Sequence, residues 1–236
     1  MWRWWPLLVI ALVVVTLAFI LLRPWRNTAQ LVRLRAWIDD PAGHAAWSIQ
    51  GGQRCANALM LLPTTGYIGF GWNDSFRPGH HHSGLDIFSP DGQTNVTPVF
   101  AAYDGYLTRE ADWKSTVIIR HPDFPAVEAV GIRAGEQIWS YYTHMAARDG
   151  ATSFVAPEFP PGVHEIFVRA GTLLGHQGNW GGSPLQLTGL HLHFSLVKST
   201  DNGGYRDERE LANTYNPIAL LGLTEITPGI WGCAIP

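Results

Sequence analysis

The strongest chemical signal in the sequence is a pair of histidines, His191 and His193, within an alternating segment. Apolar residues occupy every second position from Leu190 to Leu196, and polar residues lie between them. This period of two predicts a half-buried β-strand with its apolar side on the core and its polar side in a cleft. Both imidazoles then project from one face, with Cα atoms about 6.6 Å apart. One of them could bind a metal ion while the other reaches a water molecule on that ion.

The segment from His82 to Asp86 offers further metal ligands. Fully extended, the two Cα atoms would lie about 13 Å apart, whereas zinc ligands meet at one ion about 2 Å away. The chain must therefore bend between them, and Gly84 provides a flexible point. Because Pro78 and Gly79 argue against a helix, we predict that His82 lies on a loop entering a strand that carries Asp86.

A further histidine, His144, ends the predicted strand Ile138–His144 and completes the candidate site. Two nitrogens and one carboxylate leave a coordination position open, which is typical of a catalytic zinc. The two remaining histidines suit hydrolysis, one accepting the proton of the water and one stabilising the oxyanion. The same ligands also suit Fe(II), so a non-haem iron oxygenase is an alternative. The candidate ligands are His82, Asp86 and one of the pair His191 and His193.

Composition indicates a globular β protein. The chain has 236 residues, 46% of them hydrophobic and 15% charged, which is enough to bury one sizeable core. The formal net charge is −3, and Lys and Arg nearly balance Asp and Glu, which argues against a nucleic-acid partner. The 25 glycines and 16 prolines favour a loop-rich β fold over a helical bundle.

Short β-prone segments separated by Gly, Pro and Asp fill the chain from Pro63 onward. Their spacing and turn signals predict a mainly β fold, an antiparallel sandwich or barrel, over residues 63–222. The predicted strands are Tyr67–Gly71, Leu85–Phe88, Val99–Ala102, Gly105–Arg109, Thr116–His121, Ile138–His144, Ile166–Val168, Thr172–Gly175 and Leu190–Val197.

The two cysteines, Cys55 and Cys233, lie near the two ends of this region. Neither belongs to a CxxC pair, which excludes a zinc ribbon. In an oxidising compartment they could form a disulfide that joins the ends of the domain. The alternative is that both are unpaired small hydrophobic residues.

Residues 1–26 are predicted to form a transmembrane anchor. Leu7–Leu22 is apolar except for Thr16, and with the two preceding residues it would span about 27 Å as a helix. Tryptophans before and after it resemble interfacial belts. A cleaved signal peptide is the alternative, but no small-x-small cleavage site follows the apolar stretch.

The segment after the anchor, residues 27–62, is predicted to be a short stalk helix over Asn27–Asp40 followed by a linker. Four arginines follow the apolar segment, at positions 23, 26, 33 and 35, whereas only Arg3 precedes it. Applied literally, the positive-inside rule therefore places the domain in the cytoplasm. Residues 223–236 are predicted to be a C-terminal tail after the β domain.

The residues resemble the lysostaphin/LytM-type zinc endopeptidases, which cut peptide cross-links of bacterial peptidoglycan. The resemblance covers about residues 63–222. It implies a duplicated-hybrid-motif β sandwich in which His82, Asp86 and His193 bind Zn²⁺, while His191 and His144 serve catalysis and transition-state stabilisation. The motifs that carry it, in chain order, are Gly71, His82-Ser-Gly-Leu-Asp86, Val99-Phe-Ala-Ala-Tyr-Asp-Gly105, Val117-Ile-Ile-Arg-His121, Tyr142-Thr-His144-Met145, Gly171 with Gly175 and Gly178, His191-Leu-His193-Phe194 and Asn216-Pro217.

The chain departs from that family at several points. The family usually has Glu after His-Leu-His-Phe, where this chain has Ser195. The glycine-rich turn before the motif is loosened over Gly178–Gly189. Long loops at 152–163 and 179–189 are expected to shape a substrate groove. Insertions around 122–136 and 146–164 are expected to remodel its walls.

The sequence therefore predicts a membrane-anchored zinc endopeptidase that acts on peptidoglycan peptides. Peptidoglycan lies outside the cytoplasm, so we expect an N-in, C-out anchor with the domain on the periplasmic or cell-wall side. The alternative is a non-catalytic envelope scaffold or activator that binds cell wall or a hydrolase partner.

Overall fold

The computed structural model of the chain describes residues 25–75 and 79–233. Among these residues, no helix combines the length and the apolar character needed to cross a bilayer. Of the predicted membrane anchor, residues 1–26, all but the last two residues lie outside the described part of the chain.

Antiparallel strands are the main regular structure of the described chain, which confirms the predicted mainly β fold. The strands are β1 (Ser48–Ile49), β2 (Gly66–Phe70), β3 (Leu85–Phe88), β4 (Pro98–Phe100), β5 (Gly105–Thr108), β6 (Val117–Phe124), β7 (Glu136–Thr143), β8 (Ile166–Val168), β9 (Leu173–His176), β10 (Gly178–Trp180), β11 (Leu187–Lys198), β12 (Thr214–Tyr215), β13 (Leu223–Thr227) and β14 (Ile230–Cys233). A ten-stranded sheet has the main order β1-β2-β3-β11-β7-β6-β5-β8, and β10 and β12 also pair with β11. Two small sheets, β4-β9 and β13-β14, complete the fold.

Each strand that the sequence predicts corresponds to an observed strand, with ends shifted by a few residues. The strands that the sequence did not predict are β1, β10, β12, β13 and β14. They have five residues or fewer and lack a sustained alternation of apolar and polar side chains. β1, β10 and β12 pair with longer strands, and β13 and β14 pair with each other, so pairing rather than local pattern defines them.

The buried core lies on one face of β3 and β11. Leu85 and Ile87 on β3, and Leu192 and Phe194 on β11, have relative exposures of 0%. The small β4-β9 sheet packs against the same cluster, to which it contributes Val99. Each fully buried side chain of this size stabilises the fold by about 1.5–3 kcal/mol. A one-residue slip of either strand would expose the whole apolar set, so the core fixes the register.

One α-helix, α1 (Trp25–Asp39), is described, where the sequence predicts a helix over residues 27–40. It packs against β2 through Trp37, which is 1% exposed and lies 5.7 Å from Tyr67 between ring centroids. The Trp37 indole nitrogen also donates a hydrogen bond to the Ser89 carbonyl oxygen. The helix is therefore attached to the sheet along one face.

The segment between α1 and β2 also contributes to the core, because Met60 and Leu62 are buried within it. Cys55, in this segment, forms a disulfide with Cys233 at the end of the β13-β14 hairpin, with Cα atoms 5.1 Å apart. Of the two alternatives left open by the sequence, the structure contains the disulfide. The bond joins the entry and exit of the domain across 178 residues of chain.

Removing this disulfide is expected to lower the free energy of unfolding by about 2–5 kcal/mol, because the cross-link restricts the unfolded chain over a long loop. The measurement is urea unfolding of the Cys55→Ser/Cys233→Ser double variant against the oxidised protein. Reducing agent should destabilise the parent protein and leave the double variant unchanged. Equal stability of the oxidised parent and the variant would contradict this expectation.

Candidate metal centre

The pairing of β3 with β11 places the candidate metal ligands opposite each other. His193 is the direct cross-strand partner of Asp86, and Leu192 is the partner of Ile87 on the core side. Because side chains alternate along each strand, the carboxylate and the imidazole emerge together on the face away from the core. His191 lies on that face too, with its ring stacked 4.8 Å from the ring of Phe88.

His82 lies on a loop before β3, as predicted, and its neighbours fix the ring. Its backbone N–H donates to the Asp74 carbonyl oxygen at 2.8 Å, and its Nδ1 donates to the Gly71 carbonyl oxygen at 2.9 Å. Gly84 has a role other than flexibility. A Cβ atom there would lie 2.3 Å from the Phe194 carbonyl oxygen, so the missing side chain lets the ligand loop approach β11.

Three ligand atoms converge at one point. His82 Nε2 lies 3.0 Å from Asp86 Oδ1 and 3.0 Å from His193 Nδ1, and the last two atoms are 2.9 Å apart. Ligands around a tetrahedral zinc at about 2.0–2.1 Å are roughly 3.3 Å apart, so the three atoms need to separate by only a few tenths of an ångström. They also form the group that could hold a metal ion among the described residues. The donor set and its spacing therefore fit zinc.

His191 and His144 flank this point. His191 Nε2 lies 3.4 Å from Asp86 Oδ1, and the ring centroids of His144 and His191 are 4.6 Å apart. His144 follows the end of β7 with a φ of 74°, a left-handed conformation that is uncommon for a residue with a side chain. Parity along β7 would place His144 on the side of the buried Tyr142, and this turn brings it into the site instead.

Backbone carbonyl oxygens fix the orientation of both rings. His191 Nδ1 donates to the Gly189 carbonyl oxygen at 2.9 Å, and His144 Nδ1 donates to the Trp180 carbonyl oxygen at 2.6 Å. Since a carbonyl oxygen can only accept, Nδ1 carries the proton in each ring. The Nε2 atoms are therefore directed to the centre of the site.

Burial and neighbouring charges shift the pKa values of the site. Burial alone would raise the pKa of Asp86, but His82, His191 and His193 hold it well below its usual range. Burial alone would lower the pKa of His193, but the carboxylates of Asp86 and Glu208 raise it to about 10. Burial, together with His191 and His193, lowers the pKa of His144 to about 3. A buried cation thus faces the carboxylate in the metal-free chain.

Glu208 is a member of this site that the sequence analysis missed. Its Oε2 lies 3.3 Å from His193 Nε2 and accepts a hydrogen bond from Ser83 Oγ at 3.2 Å. Burial alone would raise its pKa, but contact with His193 lowers it. Glu208 comes from the loop after β11, and nothing in its local sequence distinguishes it from other surface acids.

A groove of about 710 Å³ begins at His144 and continues between two loops. One loop spans residues 112–116, and the other spans 180–186, within the segment predicted to shape a groove. Residues 146–164 were expected to remodel the wall, but they do not line this groove, and Phe154 and Phe159 pack into the core instead. Residues 122–136 line cavities elsewhere.

Three solved structures similar to this chain are bacterial proteins. Csd3 from Helicobacter pylori has 20% identity and a TM-score of 0.40, with 70% of this chain and 35% of that chain covered. The catalytic domain of lysostaphin from Staphylococcus simulans has 21% identity and a TM-score of 0.38, with 66% and 90% covered. A mutant catalytic domain of the prophage-encoded protein EnpA from Enterococcus faecalis has 20% identity and a TM-score of 0.36, with 60% of this chain and 87% of that chain covered. This chain spans about a third of the length of Csd3.

The chain matches no protein-family model and no curated protein. Lysostaphin belongs to the family that the sequence motifs resemble. The activity, substrate and partners of this chain are therefore matters of proposal.

Metal binding is expected to tighten as the pH rises from about 7 towards 10. His193 keeps its proton up to a pKa of about 10 in the metal-free chain, whereas a metal ion needs Nδ1 unprotonated. Each bound ion then displaces about one proton, and the apparent affinity rises by up to about tenfold per pH unit. Isothermal titration with zinc at pH 8, in two buffers of different ionisation enthalpy, measures the protons released. Binding without proton release would contradict the assignment of this proton to His193.

Proposed function

We propose that the chain is a membrane-anchored zinc endopeptidase that hydrolyses peptide bonds in bacterial peptidoglycan cross-links. One observation carries the proposal. His82, Asp86 and His193 converge at one point, and His191 and His144 present their Nε2 atoms beside it. The fold thus brings together residues that lie more than 100 positions apart in the sequence.

His82, Asp86 and His193 would hold the ion through two nitrogens and one oxygen, which leaves a position for water. Zinc in such a site lowers the pKa of its water to about 7 and polarises the carbonyl group of the substrate. His191 and His144 supply the proton transfers. One accepts the proton of the attacking water through Nε2, and a ring protonated in this way donates to the oxyanion or to the leaving amine.

The groove supports a peptide as the substrate. It is lined mostly by polar side chains, which can bind the amide groups of an extended chain. Lys114 lies over the ring of Trp180 at 5.0 Å from its centroid, and both residues line the groove next to His144. The motifs that resemble lysostaphin/LytM-type enzymes point to cross-link peptides of peptidoglycan as the natural form of that substrate.

We place the domain outside the cytoplasm, attached by the apolar segment Leu7–Leu22. The disulfide between Cys55 and Cys233 supports this location, because disulfides persist in oxidising compartments. The arginines after the apolar segment favour the opposite orientation. The proposal gives more weight to the disulfide and to the location of peptidoglycan outside the cytoplasm than to these arginines.

Single alanine variants are expected to separate metal binding from catalysis. His191→Ala and His144→Ala should lower kcat on defined cross-linked muropeptides by about 10²–10⁴-fold while the protein keeps its zinc, since each removes a proton-transfer group. His82→Ala and His193→Ala should lose both zinc and activity. Mass spectrometry of the products and elemental analysis of the protein measure the two effects.

His164→Ala is the matched control, because its side chain is 57% exposed and lies outside the groove. It should keep both zinc and activity. Release of muropeptides that survives His82→Ala and His193→Ala would overturn the enzymatic assignment. A parent protein that binds wall without cutting it would favour the scaffold or activator role.

The proposed orientation places the C-terminus outside the cytoplasm. A reporter enzyme that is active only outside the cytoplasm should therefore be active when it is fused to the C-terminus. Protease added to cells with a permeabilised envelope should also degrade the domain while the cytoplasmic membrane stays intact. A cytoplasmic protein of the same cells, monitored in parallel, should remain protected. Protection of the domain in that experiment would show that the anchor has the opposite orientation.

A further inference from the structure

The fourth imidazole of the site is held differently from the other three. His82, His191 and His144 each donate from Nδ1 to a backbone carbonyl oxygen and direct Nε2 to the centre. His193 has the reverse orientation, with Nδ1 at the centre and Nε2 directed away from it. A carbonyl oxygen therefore does not fix its ring in the way that it fixes the others.

The outer nitrogen of His193 is buried, and its orientation depends on a carboxylate. Among the described residues, Nε2 makes no hydrogen bond of standard geometry, and Glu208 Oε2 faces it at 3.3 Å. An N–H group buried without an acceptor is costly, so this contact is expected to shorten when the ring is fixed by a metal ion. Glu208 is the residue placed to accept the proton on Nε2.

Glu208 is itself held in place. Ser83 Oγ, in the residue after the ligand His82, donates to Glu208 Oε2 at 3.2 Å. The next residue, Arg209, pairs with Asp207 through its guanidinium at 2.7 Å, which shapes the turn that carries Glu208. The loop after β11 is thereby connected to the loop before β3 directly behind the candidate metal ligands.

We propose that Glu208 is the positioning residue of the metal centre, which holds the His193 ring so that Nδ1 faces the ion. The inference rests on the metal site of the proposed function and deepens it. A carboxylate that accepts from the outer nitrogen of a ligand histidine fixes its tautomer and increases its basicity, and loss of such a partner typically weakens metal binding 10–100-fold. Glu208 acts on the ion only through His193, whose outer nitrogen it faces.

The test is zinc affinity of the full 236-residue chain, measured by competition with a chromogenic chelator. Glu208→Ala should raise the dissociation constant by about 10–100-fold, because His193 loses its acceptor. Glu208→Gln keeps an oxygen acceptor without the charge and should restore part of the affinity. Glu210→Gln makes the same change on an exposed residue of the same loop and should leave the affinity unchanged.

Circular dichroism establishes that each variant is folded, and the visible spectrum of the Co²⁺-substituted protein reports ligand geometry directly. The spectrum should change in Glu208→Ala and return towards the parent form in Glu208→Gln. A folded Glu208→Ala variant with parent affinity and spectrum would overturn the proposal. Should that variant not fold, Glu208→Gln decides, and a dissociation constant equal to that of the parent overturns the inference.

These measurements need no peptidoglycan. A chain that binds zinc in a Glu208-dependent way without cutting muropeptides would support the positioning role while overturning the proposed activity. A chain that cuts muropeptides but whose zinc affinity does not depend on Glu208 would support the proposed activity and overturn the positioning role.

Discussion

The register between β3 and β11 is the constraint on which the site depends. Apolar side chains on one face of these strands are fully buried, and any slip by one residue would exchange the two faces. The same register sets Asp86 opposite His193 on the other face. The free energy of burying Leu192 and Phe194 therefore also aligns the two ligands. Hydrophobic burial stabilises the fold, and the geometry of the candidate site follows from it.

Backbone carbonyl oxygens add the second level of order, because they select one tautomer for three of the four imidazoles. This selection leaves unprotonated Nε2 atoms where a metal ion or a reacting proton would be. The backbone turn at His144, with its positive φ, fixes one of these rings in a conformation that the surrounding contacts must support. Together they form a preorganised site, in which little reorganisation is needed on binding an ion.

Alternation in Leu190–Leu196 was enough to predict β11 and the shared face of its histidines, since a period of two is a local signal. The loop position of His82 followed similarly from Gly and Pro nearby. The sequence could not show that β3 pairs with β11, that His144 turns out of its strand, or that Glu208 approaches His193. These depend on contacts between distant segments. Residues 154–159 were misjudged as a groove wall because the surrounding prolines suggested a surface loop, whereas their apolar side chains pack into the core.

The central claim is that His82, Asp86 and His193 form one metal centre at the end of the groove. Anomalous diffraction at the zinc absorption edge, from crystals of the purified protein, tests it most directly. One strong peak is expected about 2.0–2.2 Å from His82 Nε2, an Asp86 carboxylate oxygen and His193 Nδ1. A zinc-loaded crystal with no peak there, or with the ion bound by His191 in place of His193, would contradict it.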